Sequence, residues 1–197
     1  MSSTKERLLS AGAELFGRQG YSATGVKQIV TEARSPFGSM YHHFPGGKEE
    51  LAAQAIRTSG ALYGSLVEAV LDPAPDLQSG IRDFYRLAGV NMRESGWEDA
   101  CPIATIALEV SSTSEPLREA CAEVFEGWLQ GAIPSFIRHG IATERARELA
   151  IALVCQLEGA FVLCRAMRTT EALDVAGEMM AAGVERELAE GSSARAT

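Results

Sequence analysis

The sequence has little of what exported, membrane-spanning or disulfide-stabilised proteins contain. Its 197 residues include four cysteines, Cys101, Cys121, Cys155 and Cys164, with no CxxC pair, so neither a zinc finger nor a disulfide framework is expected. The longest apolar run covers only 149–155, whereas a membrane span needs about 20 residues. The opening segment is charged and lacks the apolar stretch of a signal peptide. We therefore expect a cytoplasmic protein whose cysteines are small buried side chains.

Lysine is also scarce, and its distribution is uneven. All three lysines, Lys5, Lys27 and Lys48, lie near the amino terminus of a chain whose net charge is −8. Residues 1–58 carry seven basic and five acidic groups, whereas residues 59–197 carry eleven and twenty-one. This asymmetry predicts two parts with different partners. The basic groups taken alone favour an ordinary solvated face.

The hydrophobic pattern has the period of helices almost throughout and no sustained alternation, which predicts an all-α protein. Ser3 and Glu6 form a capping box before the first helix. Thr24 is predicted to cap a short second helix. Ser35 and Pro36 are predicted at the N-cap and first position of a third. The fold class expected is an N-terminal three-helix helix-turn-helix domain followed by a C-terminal helical bundle.

The remainder of the chain predicts longer helices and three sections. Helices are expected over 77–94, 115–139, 143–168 and 170–189, with a short one after Cys101-Pro102. Thr143 and Thr170 are the expected caps of the last two. The predicted sections are a helix-turn-helix section at 1–50, a larger helical section at 51–190 and a flexible tail at 191–197.

Two motifs carry the most specific information. The string Tyr41-His42-His43-Phe44 is followed by Lys48-Glu49-Glu50-Leu51, and together they resemble the N-terminal domain of the TetR family of bacterial transcriptional repressors. The Pro-Gly-Gly-Lys turn at 45–48 and Cys101-Pro102-Ile103-Ala104 resemble its LmrA/YxaF-like subgroup. The resemblance implies a homodimeric repressor that a small hydrophobic or aromatic effector releases from a palindromic operator. It implies no cofactor, no metal and no enzymatic activity.

The third helix supplies the candidate contacts to double-stranded DNA. Phe37 is suited to a thymine methyl group and Ser39 to a base edge, while Gly38 permits close approach. The expected DNA-binding residues are Thr24, Arg34, Ser35, Pro36, Phe37, Gly38, Ser39, Tyr41, His42 and Lys48. Phe37 in the core is the alternative. A metal site at Tyr41-His42-His43 is disfavoured, because adjacent histidines on a helix point about 100° apart.

The larger, acidic part supplies candidate ligand and dimer residues. Aromatic residues with a few acids predict an apolar pocket, lined by Phe84, Met92, Trp97, Glu109, Phe125, Trp128, Glu158 and Phe161. Stripes on the last two helices predict a four-helix dimer interface, formed by Leu153, Gln156, Ala160, Leu163, Met180 and Val184. The alternative is that these aromatics and stripes belong to the core of a single chain.

Two other functions remain open at this point. Oxidation of Cys101 or Cys164 is an alternative switch for a DNA-binding regulator. An all-α enzyme is a different class, but the sequence contains no HExxH, GxSxG or phosphate-binding loop.

Overall fold

The computed structural model describes residues 3–98 and 101–195, and every regular element within these ranges is an α-helix. In chain order the helices are α1 (Thr4–Gln19), α2 (Val26–Glu32), α3 (Phe37–His43), α4 (Gly47–Leu71), α5 (Leu77–Glu94), α6 (Pro102–Val110), α7 (Glu115–Arg138), α8 (Thr143–Met167) and α9 (Glu171–Arg195). The predicted all-α class is confirmed.

The chain forms two compact units, and each is built from two separate segments of the sequence. One comprises Met1–Leu62 and Asp99–Phe125, and the other comprises Tyr63–Glu98 and Glu126–Thr197. The first unit therefore contains α6 and the start of α7 in addition to the three N-terminal helices. Helices α4 and α7 each continue from one unit into the other.

The first unit is built around α1. Glu6 N donates to Ser3 Oγ at 3.2 Å and Ser3 N donates to the Glu6 carboxylate at 2.7 Å, so the predicted capping box is present. Helix α1 packs against α2, α3 and α6. The fully buried side chains of this unit include Leu8, Phe16, Ile29, Met40 and Phe44. Burial of these residues is the main stabilising contribution to the helix-turn-helix.

The second unit is a helical bundle in which α9 packs against α5 and α8. Its core includes Met92, Phe136 and Leu173. Tyr85 is fully buried there, and its hydroxyl donates to the Leu153 carbonyl at 2.9 Å. Burial raises the pKa of the Tyr85 phenol well above its ordinary value.

We predict that Tyr85→Phe lowers the free energy of unfolding by about 1 kcal/mol at neutral pH, because one buried hydrogen bond is lost. Because the pKa of Tyr85 is higher in the folded chain, the unfolded chain loses its proton first. The stability contributed by the neutral phenol is therefore full below the ordinary value of 10.0 and is lost as pH rises above it. Urea unfolding at several pH values should show a smaller alkaline loss in Tyr85→Phe.

The exposed Tyr41 offers a matched control for this measurement, since Tyr41→Phe removes a hydroxyl from solvent. It should change stability by no more than about 0.5 kcal/mol. Identical unfolding curves for Tyr85→Phe and the unchanged chain across this pH range would contradict the assignment.

Helix α8 is the one helix in the described part of the chain that is long and apolar enough to cross a membrane. Its best window has a mean hydropathy of 1.7, yet only 28% of that window is buried within the chain. No long apolar run in the sequence reveals this, because Gln156, Glu158 and Gly159 interrupt it. An apolar helix exposed along one side is also what a helix that pairs with another protein surface presents.

Most helix boundaries agree with those predicted from the sequence, but several of the predicted N-cap residues are wrong. Helix α5 begins and ends as predicted. The N-cap of α8 is Ala142, not Thr143, because the Ala142 carbonyl accepts from the amides of Arg145 and Ala146. Helix α9 continues to Arg195, beyond its predicted end near residue 189. The last two residues of the predicted tail lie outside the described residues.

Candidate nucleic-acid interface

The turn between α2 and α3 is fixed by its own backbone and by α1. Ser35 N donates to the Val30 carbonyl at 2.9 Å, and Arg34 takes a left-handed conformation with φ 48°. The Ala33 carbonyl accepts from Arg7 Nε at 3.1 Å and from Ser35 Oγ at 3.0 Å. Arg7 is a positioning residue that sequence reasoning missed, since its partners lie 26 to 28 residues away along the chain.

Helix α3 presents an exposed aromatic face. Met40 and Phe44 are buried, whereas Phe37 is 54% exposed and Tyr41 is 50% exposed. Their ring centroids lie 6.0 Å apart. The alternative that Phe37 belongs to the core is therefore wrong. Two exposed aromatic rings on a helix of seven residues form an apolar patch available to a partner.

The other predicted contacts on and before α3 are mostly accessible. Arg34, Pro36, Gly38 and His42 are exposed, and a Cβ atom built at Gly38 meets nothing within 4 Å. Ser35 and Ser39 are half-buried. The structure thus brings these residues together with Phe37 and Tyr41 in the α2–α3 segment.

The cap of α3 differs from the prediction by one residue. Pro36, not Ser35, is the N-cap, and Phe37 is the first helical residue. The reason is that the Ser35 hydroxyl donates to Ala33 and receives a hydrogen bond from Arg7 instead of capping α3. Phe37, Gly38 and Ser39 consequently form the first turn of α3.

Thr24 is predicted to contact DNA and to cap α2, but its side chain does neither. Its side chain is fully buried, and its hydroxyl donates to the Gly20 carbonyl at 2.7 Å. Gly25 is the N-cap of α2, with its amide donating to Gln28 Oε1 at 2.8 Å. Thr24 therefore organises the segment between α1 and α2, which we call the α1–α2 turn (residues 20–25).

Lys48 lies in the first turn of α4, and its ammonium group is directed at the α1–α2 turn. Its Nζ donates to the carbonyls of Tyr21 and Thr24, each at 3.1 Å, and lies 4.0 Å from the centre of the Tyr21 ring. These bonds offset the unfavourable position of a lysine at a helix N-terminus. An ammonium group has three donors, and a phosphate contact from the third stays a prediction.

Glu109 does not join the predicted ligand-binding residues. It lies on α6 in the first unit, and its carboxylate accepts from Tyr21 N and Ser22 N, each at 2.7 Å. Burial alone would raise the pKa of Glu109, but the hydrogen bonds from Ser22 and Tyr21 and the charge of Lys48 lower it. The carboxylate is therefore a structural acceptor, and its assignment to a ligand pocket is corrected.

The other predicted ligand residues divide between the units. Phe125 belongs to the first unit, and the remaining six belong to the second. Met92 is fully buried in the core of the second unit, while Phe84, Trp97 and Phe161 are half-buried and pack against that core. Trp128 and Glu158 are half-buried. The structure thus brings Phe84, Trp97 and Phe161 to one core.

Most of the predicted dimer residues face inward. Leu153, Ala160, Met180 and Val184 are buried in the core of a single chain, so they do not form an outer surface. Gln156 is half-buried and Leu163 is 52% exposed. The stripe on α8 was correctly identified as apolar, but its prediction as a dimer surface is corrected. It packs against α9 within the same chain, and the Leu153 carbonyl accepts the hydrogen bond from Tyr85 of α5.

A different apolar surface lies on the outer sides of α8 and α9. We call it the α8–α9 outer surface. It consists of exposed residues, namely Ile151, Cys155, Gly159, Val162, Leu163, Met167, Val175 and Met179. Their spacing is helical, but a second apolar stripe on the same helix hid this signal. The two apolar stripes of α8 differ in burial, and the sequence alone does not show which of them is buried.

The cysteines and histidines suggest no further site. Cys155 is exposed, so the expectation that the cysteines are buried is wrong for this residue and holds for the other three. Cys101 and Cys164 are buried, with Cys164 fully so, and burial raises the pKa of the Cys121 thiol to about 11. Burial of Cys101 and Cys164 leaves the redox alternative without a reactive thiol there, because oxidation requires an accessible thiolate. In the described part of the chain, no three His, Cys, Asp or Glu side chains are grouped to hold a metal ion.

Two protein families match the chain in adjacent regions. Residues 8–55 match the family described as bacterial regulatory proteins, tetR family. Residues 78–179 match the C-terminal domain of LmrA/YxaF-like transcriptional regulators. Both families are of transcriptional regulators and neither is of enzymes.

Individual relatives agree with these matches. The chain is 34% identical to the uncharacterized HTH-type transcriptional regulator YxaF of Bacillus subtilis, over 81% of this chain and 84% of the relative. It is 33% identical to the HTH-type transcriptional regulator LmrA of the same organism, over 81% and 85%. The crystal structure of the regulatory protein TetR from Rhodobacter sphaeroides has a TM-score of 0.80 at 24% identity, covering 91% of this chain and 98% of that one. This likeness shows the shared fold.

Proposed function

The chain belongs to the TetR family of bacterial transcriptional regulators, which bind DNA through their helix-turn-helix, and we propose that it is a homodimeric repressor. In this proposal a small hydrophobic or aromatic effector releases it from a palindromic operator in the cytoplasm. The observation that carries the proposal is the exposed Phe37–Tyr41 pair on α3, the third helix of the helix-turn-helix. DNA binding is assigned to residues 1–50, and effector binding and dimerisation to residues 51–190.

Contacts with the operator divide into two kinds. Phe37, Gly38 and Ser39 at the start of α3 face base edges in the major groove, where an apolar ring meets a thymine methyl group. Arg34, Tyr41 and His42 are exposed around them and contact the phosphate backbone. Two copies of α3, set roughly 34–36 Å apart by a dimer, read half-sites one helical turn apart.

The α8–α9 outer surface is proposed as the place where the second copy binds. Its apolar residues are exposed in the single chain, and a large exposed apolar patch indicates an interaction site. A Cβ atom built at Gly159 meets nothing within 4 Å, so a partner helix has room to approach. Between Glu148 and Glu158, α8 carries no charge. A two-fold dimer matches this surface to itself and buries its apolar stripes together.

The effector is proposed to bind among the half-buried aromatic residues of the second unit, which include Phe84, Trp97 and Phe161. Gln156 Oε1 is buried, with no hydrogen-bond partner among the described residues. A buried acceptor without a partner costs about 1–3 kcal/mol. An apolar ligand that donates a hydrogen bond would satisfy it. Such an effector weakens DNA binding only by its preference for the DNA-free state, and DNA weakens effector binding equally.

Arg34→Gly separates folding from DNA binding. Arg34 has φ 48°, a conformation that glycine adopts without strain, so the free energy of unfolding should stay unchanged or rise by up to about 1 kcal/mol. The loss of one cation from each chain should weaken binding about tenfold to all DNA sequences alike. It should also reduce the slope of log affinity against log salt by about 2 per dimer. Fluorescence anisotropy at several salt concentrations measures both effects.

Arg168→Gly is the matched control, because Arg168 is also exposed and left-handed, with φ 55°, but ends α8 in the second unit. It should leave the affinity and the salt slope unchanged. Equal salt slopes for Arg34→Gly and the unchanged chain would contradict the phosphate contact.

A further inference from the structure

The α1–α2 turn is held from two sides by two different helices. From α6, the Glu109 carboxylate accepts hydrogen bonds from the backbone amides of Tyr21 and Ser22, one on each oxygen and each at 2.7 Å. From α4, the Lys48 ammonium donates to the carbonyls of Tyr21 and Thr24. An anion therefore binds the N–H groups of the turn and a cation binds its C=O groups. Charge-assisted hydrogen bonds of this kind are about twice as strong as neutral ones.

The backbone of the turn makes room for the carboxylate. Gly20 has φ 84°, a left-handed conformation that favours glycine. A Cβ atom built there would lie 2.8 Å from Glu109 Oε2, closer than real Cβ contacts. Glycine at this position leaves the Glu109 carboxylate in place beside both amides, whereas a side chain there would require the carboxylate to shift.

The local electrostatics agree with this arrangement. Tyr21 lies beneath the Lys48 ammonium, and burial followed by the nearby Glu49 and Glu109 carboxylates raises the pKa of its phenol. Glu49 itself accepts a hydrogen bond from Ser114 Oγ at 2.7 Å, at the end of the segment that links α6 to α7. Lys48 of α4 and Glu109 of α6 both contact the α1–α2 turn, and the Ser114–Glu49 hydrogen bond links α4 to the segment that follows α6.

This contact joins two parts of the sequence that match different families. The turn and Lys48 lie within residues 8–55, matched as the DNA-binding region, whereas Glu109 lies within residues 78–179, matched as the C-terminal domain. We propose that Glu109 is a positioning residue for DNA binding, whose carboxylate on α6 holds the α1–α2 turn so that α2 and α3 keep the arrangement that binds the duplex. This proposal rests on the DNA-binding function described above.

The link from the turn to α3 is short. The turn ends at Gly25, the N-cap of α2, and α2 packs against α3. A displacement of the turn therefore moves the start of α2 and, through it, the exposed face of α3.

Glu109→Gln tests the proposal, because the amide nitrogen of glutamine cannot accept a hydrogen bond and would face an amide donor. We expect affinity for an operator duplex, selected in vitro by the unchanged protein, to fall at least tenfold. Hydrogen exchange at the Tyr21 and Ser22 amides should accelerate at least tenfold. The salt slope should stay the same, since Glu109 contacts no phosphate. Glu109→Ala, which leaves both amides to water, should weaken binding to a similar degree.

The sign of the change distinguishes positioning from simple electrostatics. Removing a carboxylate makes the protein less negative, so charge alone would strengthen binding to DNA. Glu119→Gln removes an exposed carboxylate from α7 in the same unit and measures that effect. It should leave DNA affinity equal or slightly higher and leave amide exchange unchanged.

The outcomes separate this proposal from the one on which it rests. Weaker binding with faster exchange, while thermal unfolding shifts by less than about 5 °C, supports the positioning role. Unchanged or stronger operator binding by Glu109→Gln overturns it, whatever the exchange rates. Failure of the unchanged protein to bind any DNA would instead overturn the proposed function, and this proposal with it.

Discussion

Replacing Met179 by arginine is expected to convert the proposed dimer into monomers and to weaken operator binding by at least about 100-fold. Met179 is 61% exposed on α9, within the α8–α9 outer surface. In a two-fold interface the substitution occurs on both copies, so two cations would be buried in an apolar contact. Each costs several kcal/mol when it is left without a partner. Each monomer then reaches only one half-site and loses the gain from linked binding.

Analytical ultracentrifugation measures the oligomeric state and operator titration measures the affinity, and together they test this prediction. Leu87→Arg is the matched control, since Leu87 is an exposed apolar residue of α5 in the same unit. It should remain dimeric and bind DNA normally. A Met179→Arg protein that stays dimeric would place the dimer contact elsewhere. A monomeric one that binds DNA normally would contradict the need for two copies.

Phe37→Ala is expected to reduce operator affinity roughly 100-fold and to remove the preference for thymine at the contacted step. The Phe37 ring loses its exposed area when it packs against bases, and a buried phenylalanine contributes about 1.5–3 kcal/mol. The chemical test is to replace thymine by deoxyuridine, which removes only the methyl group. About 0.8 kcal/mol per methyl in two half-sites gives roughly a tenfold loss for the unchanged protein.

The substitution in the DNA and the substitution in the protein form a double-mutant cycle. For Phe37→Ala, deoxyuridine should change affinity less than about twofold, because the methyl group has lost its partner. Leu108→Ala is a control, since Leu108 is 86% exposed on α6 and lies outside α3. It should respond to deoxyuridine as the unchanged chain does. Equal sensitivity of the Phe37→Ala and unchanged proteins would show that Phe37 does not contact the methyl.

Most of the fold could be predicted from the sequence, because helical periodicity and helix-breaking residues determine structure locally. Helix α5 was predicted with its bounds, and the Ser3–Glu6 capping box forms as expected. The caps that failed did so through tertiary contacts. Ser35 bonds to Ala33 and Arg7, and Thr24 bonds to Gly20, so neither hydroxyl is available to its helix. Propensity identified suitable residues but could not identify their competing partners.

Less of the candidate site could be predicted from the sequence, because it depends on contacts between residues far apart in the chain and on which helix faces are buried. Glu109 accepts a hydrogen bond from the Tyr21 amide, 88 residues away in the sequence. No local sequence pattern predicts such a pair. Helix α8 is apolar on two sides, and periodicity does not show which side the chain itself covers. The residues on α3 were easier to predict, because Met40 and Phe44 occupy the buried face and leave Phe37 and Tyr41 outside.

The most direct measurement is a footprint and a stoichiometry of the unchanged protein on DNA from the promoter region beside its own gene. We expect two chains per duplex and two protected blocks centred one helical turn apart. Inserting about five base pairs between the half-sites turns one of them to the opposite face of the duplex, and this should abolish tight binding. A single protected block, one chain per duplex or affinity that does not depend on this spacing would contradict this expectation.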